Sequence, residues 1–157
     1  MHILVSACLL GHKVRYDGQD NFLDHPWIKE LHTQGRLVTI CPEVAGGLAT
    51  PRPAAERQRD GRVLTKEGFD VTEAFADGAQ KALMLARSVD ARLAILKARS
   101  PSCGNQDIYD GTFTKRRVPG MGGTAELLCA HGVLIFNEEE IEEARRAYDE
   151  LTHALRK

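Results

Sequence analysis

Residues 2–7, His-Ile-Leu-Val-Ser-Ala, form a short apolar run near the amino terminus, and the fold can be predicted by working outward from it. An apolar run of this length predicts a strand buried on both faces, as in a parallel sheet. Similar runs follow at residues 37–40, 92–96 and 133–136, each separated from the next by a stretch with helical periodicity. This alternation predicts an α/β domain with a mainly parallel sheet of about four strands flanked by helices, of the Rossmann-like kind.

The helical stretches carry recognisable start signals. Asp70-x-x-Glu73 and Asn137-x-x-Glu140 have the spacing of a capping box, in which a polar N-cap and an acidic residue three positions later satisfy free backbone N–H groups. Polar residues also precede the other two helical stretches. The sequence therefore predicts four helices, whose expected caps are Asp24, Asp70, Thr124 and Asn137.

Two long segments interrupt this alternation. Residues 43–69 form an arm rich in Gly, Pro and Arg, which we expect to be irregular. Residues 105–123 form a second loop, where Asp110-Gly111 predicts a hairpin turn between residues 108–109 and 112–113. Long loops inside a compact domain are more often functional than mere connections, so we expect both to be active-site loops.

Composition and charge exclude several classes of protein. The chain has 157 residues, 43% hydrophobic and 27% charged, as expected for one globular domain over residues 1–157. The net charge of −1 predicts no binding to DNA or to an anionic membrane. The small residues before Cys8 resemble a lipoprotein cleavage box but lack the basic start and apolar stretch of a signal peptide. We therefore expect a cytoplasmic protein without a membrane span.

The cysteines carry the main functional signal. No two of the four are close enough in sequence for a C-x-x-C pair, and without an export signal we expect no structural disulfide. Cys8, Cys41 and Cys103 each follow a predicted strand, and the carboxyl ends of parallel strands meet at one edge of the sheet. Three small core thiols are the structural alternative, but three cysteines at equivalent strand ends favour a shared site.

A three-cysteine site differs from the usual structural ones. Closed zinc sites and most iron–sulfur clusters take four protein ligands, so three leave one coordination position open, which is a catalytic arrangement. Cys129 is the possible fourth ligand. It shares a predicted helix face with Ala125 and Leu128, which favours packing in the core.

Long motifs surround these cysteines in a fixed order. They are residues 3–11 (ILVSACLLG), 14–18 (VRYDG), 41–48 (CPEVAGGL), 50–56 (TPRPAAE) and 96–104 (LKARSPSCG). With shorter matches they extend from residue 3 to about residue 135. On these motifs the chain resembles the thiouracil desulfurase family.

The resemblance implies a cofactor and a reaction. The cofactor is a [4Fe–4S] cluster on Cys8, Cys41 and Cys103 with one open iron. The reaction is a desulfuration without net redox change, in which a thiolated pyrimidine such as 2-thiouracil and water give the oxo-pyrimidine and hydrogen sulfide. Iron is thiophilic and would polarise the C–S bond as a Lewis acid does.

The resemblance also implies roles for five other residues. Glu43 is the general acid or base, and Ser102 positions the reacting groups or relays a proton. A loop carboxylate and a turn-capping hydroxyl are their structural alternatives. Asp17, Arg52 and Glu56 hold the substrate or brace the arm, with turns and ion pairs as the alternative roles.

Two other classes of function stay open from the sequence. One is an iron–sulfur protein that acts on another sulfur compound or carries electrons. The other is a metal-free module that binds a nucleotide-like ligand. A measurement of iron–sulfur content distinguishes the metal-free module from the other classes. Sulfide release distinguishes the desulfurase from other iron–sulfur proteins. The sequence leaves open whether the substrate is a base, a nucleoside or a nucleotide, and also the oligomeric state.

Overall fold

The computed structural model describes residues 1–155, and its helices and strands alternate largely as the sequence predicts. Along the chain they are β1 (Ile3–Ser6), α1 (Pro26–Thr33), β2 (Leu37–Ile40), α2 (Pro42–Ala45), β3 (Ala55–Arg57), β4 (Val63–Thr65), α3 (Thr72–Ser88), β5 (Leu93–Leu96), β6 (Asp107–Tyr109), β7 (Arg117–Pro119), α4 (Gly123–Ala130), β8 (Leu134–Asn137) and α5 (Ile141–Leu155). No helix within residues 1–155 is both long and apolar enough to cross a bilayer.

Four parallel strands form the central sheet in the order β2-β1-β5-β8. β1 and β5 are the two central strands, and every residue in them is buried. Ser6 of β1 pairs with Ile40 of β2, so the two strands end at the same level of the sheet. The predicted α/β fold with a parallel four-stranded sheet is confirmed.

Helices cover both faces of this sheet. Ile3 and Val5 of β1 belong to one apolar cluster, with residues of α1 and α5. Leu4 belongs to a second cluster, with residues of α3 and α4. Successive side chains of a strand point to opposite faces, so the uninterrupted apolar run of β1 supplies both cores.

The helices begin within a few residues of the predicted caps, but the predicted residues are not themselves the N-caps. His25, not Asp24, caps α1, because its Nδ1 accepts the Trp27 N–H at 3.1 Å. Asp70 accepts the Thr72 N–H at 2.9 Å, one position before the N-cap of α3. Just before α5 starts, the Glu140 carboxylate accepts the Asn137 N–H at 3.0 Å, and the Asn137 side-chain oxygen accepts the Glu139 N–H at 2.8 Å. Thr124 lies inside α4, whose N-cap is Gly122.

The two long loops hold more regular structure than the sequence predicts. The arm contains the short helix α2 and the antiparallel hairpin β3–β4. In the second loop, β6 pairs with β7, not with residues 112–113. The Asp110 carboxylate accepts both the N–H and the hydroxyl of Thr112, and the Asp110 N–H bonds to the Arg116 carbonyl. These bonds hold residues 110–116 in a loop, so the partner strand β7 begins only at Arg117.

Two glycines bring α2 directly against α3. A Cβ on Gly78 of α3 would collide with the Pro42 carbonyl group, and a Cβ on Gly46 would collide with the Ala74 carbonyl group. Lys81 of α3 also donates to the Ala45 carbonyl at 2.8 Å. This backbone-to-backbone packing holds α2, and with it the end of β2, in place.

Candidate functional site

A cavity of about 650 Å³ opens at the carboxyl edge of the central sheet. It is lined by residues that follow β1, β2 and β5, together with residues of the arm and of the second long loop. Cys8, Cys41 and Cys103 all line it, as the strand-end argument predicts. The site therefore lies where ligands bind in open parallel sheets.

Each of the three thiols is held by a different local structure. Cys8 lies in a single 3₁₀ turn, Ala7–Leu10, directly after β1. Cys41 is the N-cap of α2, where Pro42 ends β2 and starts the helix. Cys103 lies in the tight turn after β5, in which the Ser100 hydroxyl accepts the N–H groups of residues 102 and 103. Cys8 and Cys103 are buried, and Cys41 is half-buried.

The segment at residues 14–21, only part of which the sequence analysis singled out, contacts two of these thiols. The Asn21 side-chain amide donates to the Cys8 Sγ at 3.9 Å, and the Arg15 guanidinium orients that amide through a 2.8 Å bond. The Cys41 thiol donates to the Val14 carbonyl at 3.8 Å. Arg15 and Val14 belong to the motif at residues 14–18, whereas no spacing or periodicity marks Asn21.

Burial controls the ionisation of the thiols. It raises the pKa of Cys103 to about 12, against the opposing hydrogen bond with Ser6. Burial also raises the pKa of Cys8, against the hydrogen bond from Asn21. Both thiols therefore keep their protons at neutral pH in the absence of a cation, and a metal centre that binds them must displace those protons.

Glu43 and Arg52 form a largely buried ion pair at the cavity. Arg52 Nε lies 3.2 Å from Glu43 Oε1, and the two side chains are 6% and 17% exposed. Burial raises the pKa of Glu43, and the Arg52 charge opposes this rise. Arg52 also donates to the carbonyls of Val14 and Ala49 and to the Thr50 hydroxyl, so it ties the arm to the 14–21 segment.

Two other predicted residues face partners within the protein. The Ser102 hydroxyl is buried, shares a 2.7 Å hydrogen bond with the Thr124 hydroxyl and does not line the cavity. Asp17 accepts the Gln19 N–H and pairs with Arg15 at 3.4 Å, also outside the cavity lining.

Glu56 does line the cavity, but one of its carboxylate oxygens is already engaged. Oε1 accepts the Gly111 N–H at 2.9 Å and the Phe113 N–H at 3.2 Å. These contacts connect the arm to the second long loop.

Lys97 is a further cavity residue that the sequence analysis did not single out. Its ammonium lies 2.9 Å from Glu138 Oε2, and Glu138 Oε1 accepts the Ala98 N–H. The backbone N–H of Lys97 donates to the Ser6 hydroxyl at 2.9 Å. The Lys97–Glu138 ion pair therefore lies near the Cys8 thiol, where its two charges act on the pKa of Cys8 in opposite directions. The position of Lys97 inside the motif at residues 96–104 is the signal that could have identified it.

The prediction that Cys129 packs in the core is wrong. Cys129 is exposed, whereas Ala125 and Leu128 on the same helix are buried. A helix advances 100° per residue, so the residue after Leu128 falls outside the narrow buried stripe of this short helix. Cys129 is also absent from the cavity lining.

The donor set around the cavity consists of three cysteine thiols, which is the ligand chemistry of an iron–sulfur cluster. Within residues 1–155, no three side chains of His, Cys, Asp or Glu lie close enough together to hold one metal ion. A four-iron cluster is several atoms wide, so its ligands stand farther apart than those of one ion. Cysteine thiolates are the ligands that such clusters take, and the three thiols that line this cavity would supply them on losing their protons.

These features define an α/β protein with a thiol-lined cavity at the carboxyl edge of its sheet. The chain belongs to the 2-thiouracil desulfurase family, whose model matches residues 3–140. It is thus an enzyme of the desulfurase class, with thiouracil desulfuration as its activity.

Two similar proteins agree with this assignment. A solved structure described as a [4Fe-4S]-dependent thiouracil desulfidase, TudS, is 47% identical and superposes with a TM-score of 0.92. The match covers 94% of this chain and 97% of that one. The uncharacterized protein YbbK of Bacillus subtilis (strain 168) is 38% identical over 148 residues, covering 88% of this chain and 97% of YbbK.

Proposed function

We propose that this enzyme uses a [4Fe–4S] cluster, bound through Cys8, Cys41 and Cys103, to convert a thiolated pyrimidine and water into the oxo-pyrimidine and hydrogen sulfide. The observation that carries the proposal is that cysteines from three separate strand ends line one cavity. The [4Fe-4S] dependence stated for the 47% identical desulfidase supports the choice of cluster.

Three protein ligands leave one iron of such a cluster without a protein ligand. When bound, that iron supplies a Lewis acid for the thiocarbonyl sulfur of the substrate. Cys129 does not compete for this position, because it is exposed on α4 and outside the cavity lining.

Glu43 is the acid–base group in this proposal. Its carboxyl lines the cavity two positions after Cys41, and burial raises its pKa, which is the direction that favours a carboxyl able to hold a proton as well as accept one. Glu43 takes the two protons of the attacking water in turn and passes both to the sulfur, so that the C–S bond breaks as the C=O bond forms and the sulfur leaves as hydrogen sulfide. Arg52 holds the carboxyl at one oxygen and leaves the other free.

Ser102 and Asp17 act on the geometry of the site. The Ser102 hydroxyl bonds to Thr124, so we propose that it positions the turn that carries Cys103 and transfers no proton itself. Asp17 holds Arg15, which in turn orients the Asn21 amide toward Cys8. For Asp17 we therefore propose an indirect role, through its ion pair with Arg15.

The protein's surroundings follow from the same chemistry. The three thiols must stay reduced to bind iron, which favours a cytoplasmic location. The net charge of −1 favours a small-molecule substrate over DNA. We propose that residues 1–157 act as one desulfurase-like domain.

The test measures iron, acid-labile sulfide and hydrogen sulfide release from 2-thiouracil on one anaerobically reconstituted sample. We expect about four irons and four sulfides per chain, and turnover that is lost in Cys8→Ala, Cys41→Ala and Cys103→Ala. Cys129→Ala is the matched control and should keep both cluster and turnover. A cluster without turnover would favour action on another sulfur compound. Failure to bind a cluster would contradict the proposal and favour a metal-free module that binds a nucleotide-like ligand.

A further inference from the structure

The loop at residues 110–116 brings an aromatic ring and a cation to the cavity of the three thiols. Phe113 and Lys115 both line this cavity. Phe113 is half-buried but belongs to neither of the two apolar core clusters. Phe113 therefore forms part of the wall of the site and lies outside both apolar clusters of the core.

The backbone of this loop is held in an unusual conformation. Phe113 has φ +60° and Lys115 has φ +63°, in the left-handed region that bulky residues rarely adopt. Such strain persists only where neighbouring groups impose it, and it concentrates at ligand clamps and active sites.

Glu56 of the arm imposes this conformation. One carboxylate oxygen accepts the N–H groups of Gly111 and Phe113, at 2.9 and 3.2 Å. Gln58 adds a bond from its amide to the Gly111 carbonyl at 3.2 Å. The arm and the loop, remote in sequence, are thereby joined at the cavity wall.

A pyrimidine ring needs a flat apolar surface in its site, because each ring face loses water on binding. An aromatic side chain that stacks on the ring supplies such a surface, whatever substituents the ring carries. Three aromatic side chains line the cavity, namely Tyr16, Tyr109 and Phe113. The Arg15 guanidinium already lies over the Tyr16 ring, 5.8 Å from its centre.

We infer that Phe113 is the stacking surface for the heterocyclic ring, and that Glu56 is the positioning residue that holds Phe113 there through two backbone N–H groups. The inference rests on the proposed function for the identity of the ring. Of the two roles that the family resemblance implies for Glu56, holding the substrate and bracing the arm, it favours the second.

The experiment compares Phe113→Ala, Phe113→Leu and Glu56→Ala with wild type in the reconstituted enzyme, using 2-thiouracil as substrate. We expect KM to rise about tenfold in all three, with kcat within about twofold, since lost stacking weakens binding of the ring. Glu56→Gln keeps an oxygen that accepts backbone N–H groups, so it should recover most of the loss. Phe69→Ala removes an aromatic ring that is 70% exposed and outside the cavity lining, and serves as the matched control.

A second readout does not depend on turnover. Calorimetric binding of uracil to the same reconstituted proteins should weaken in parallel with KM, while absorbance shows an unchanged cluster content. An unchanged KM and uracil affinity in Phe113→Leu would overturn the role of Phe113. Equal losses in Glu56→Gln and Glu56→Ala would overturn the positioning role and favour a contact through charge. If wild type binds uracil but releases no sulfide, the proposed function fails while the binding comparison still decides the role of the loop.

Discussion

A single methyl group on α3 should displace the helix that carries the proposed acid–base residue. Gly78 lies in the middle of α3, where helix propensity alone predicts that Gly→Ala stabilises the protein by about 1 kcal/mol. In the folded protein, however, a Cβ at Gly78 would lie 2.6 Å from the Pro42 carbonyl carbon, well inside the 3.4–4 Å of ordinary van der Waals contact. The obstacle is backbone, so no side-chain rotation relieves it.

The two effects can be weighed against each other. Overpacking a rigid contact costs about 1–3 kcal/mol, and a clash with backbone belongs at the upper end of that range. After the gain in propensity, Gly78→Ala should lower the free energy of unfolding by about 2 kcal/mol. For a chain of this size, that corresponds to a fall in Tm of about 4–8 °C.

The consequence for the site is a shift of α2, which Cys41 caps and which contains Glu43. Gly78→Ala should therefore also reduce the iron bound per chain after reconstitution. Urea denaturation gives the stability change, and iron analysis gives the effect on the site. Gly123→Ala is the matched control, because a Cβ at this helical glycine meets nothing within 4 Å and should leave stability equal or higher. A rise in Tm for Gly78→Ala would refute the close approach of α2 and α3.

Two further predictions concern the thiols. In cluster-free protein at pH 8, exposed Cys129 should react with iodoacetamide first and half-buried Cys41 next. Cys103 should react last, because it is buried and its pKa is raised to about 12. Peptide mass spectrometry over time checks this order, unfolded protein is the control, and a rate for Cys103 equal to that of Cys129 would contradict it. Asn21→Ala removes the amide that donates to Cys8 Sγ. Loss of a group that supports a metal ligand typically lowers metal affinity by about tenfold or more, so we expect the reconstituted cluster to be lost about tenfold faster in air. The decay of visible absorbance measures that rate, and an unchanged decay would show that the amide does not support the ligand.

The sheet and the convergence of the cysteines follow from local properties of the sequence. Short apolar runs separated by helical periodicity define parallel strands, and parallel strands place their carboxyl ends at one edge. Cys8, Cys41 and Cys103 each follow such a run, so their meeting at one cavity could be predicted without coordinates. These signals depend on neighbours only a few residues apart.

The tertiary structure decided the roles that depend on distant partners. Cys129 faces outward because the phase of a short helix is set by what it packs against. Ser102 meets Thr124, and Glu56 meets the loop at residues 110–116. These partners lie 22 residues from Ser102 and up to 57 residues from Glu56, whose carboxylate accepts the Phe113 N–H. Sequence patterns carry the period of an element and the chemistry of its side chains, whereas the choice between solvent, substrate and a remote backbone group is made only when the chain packs.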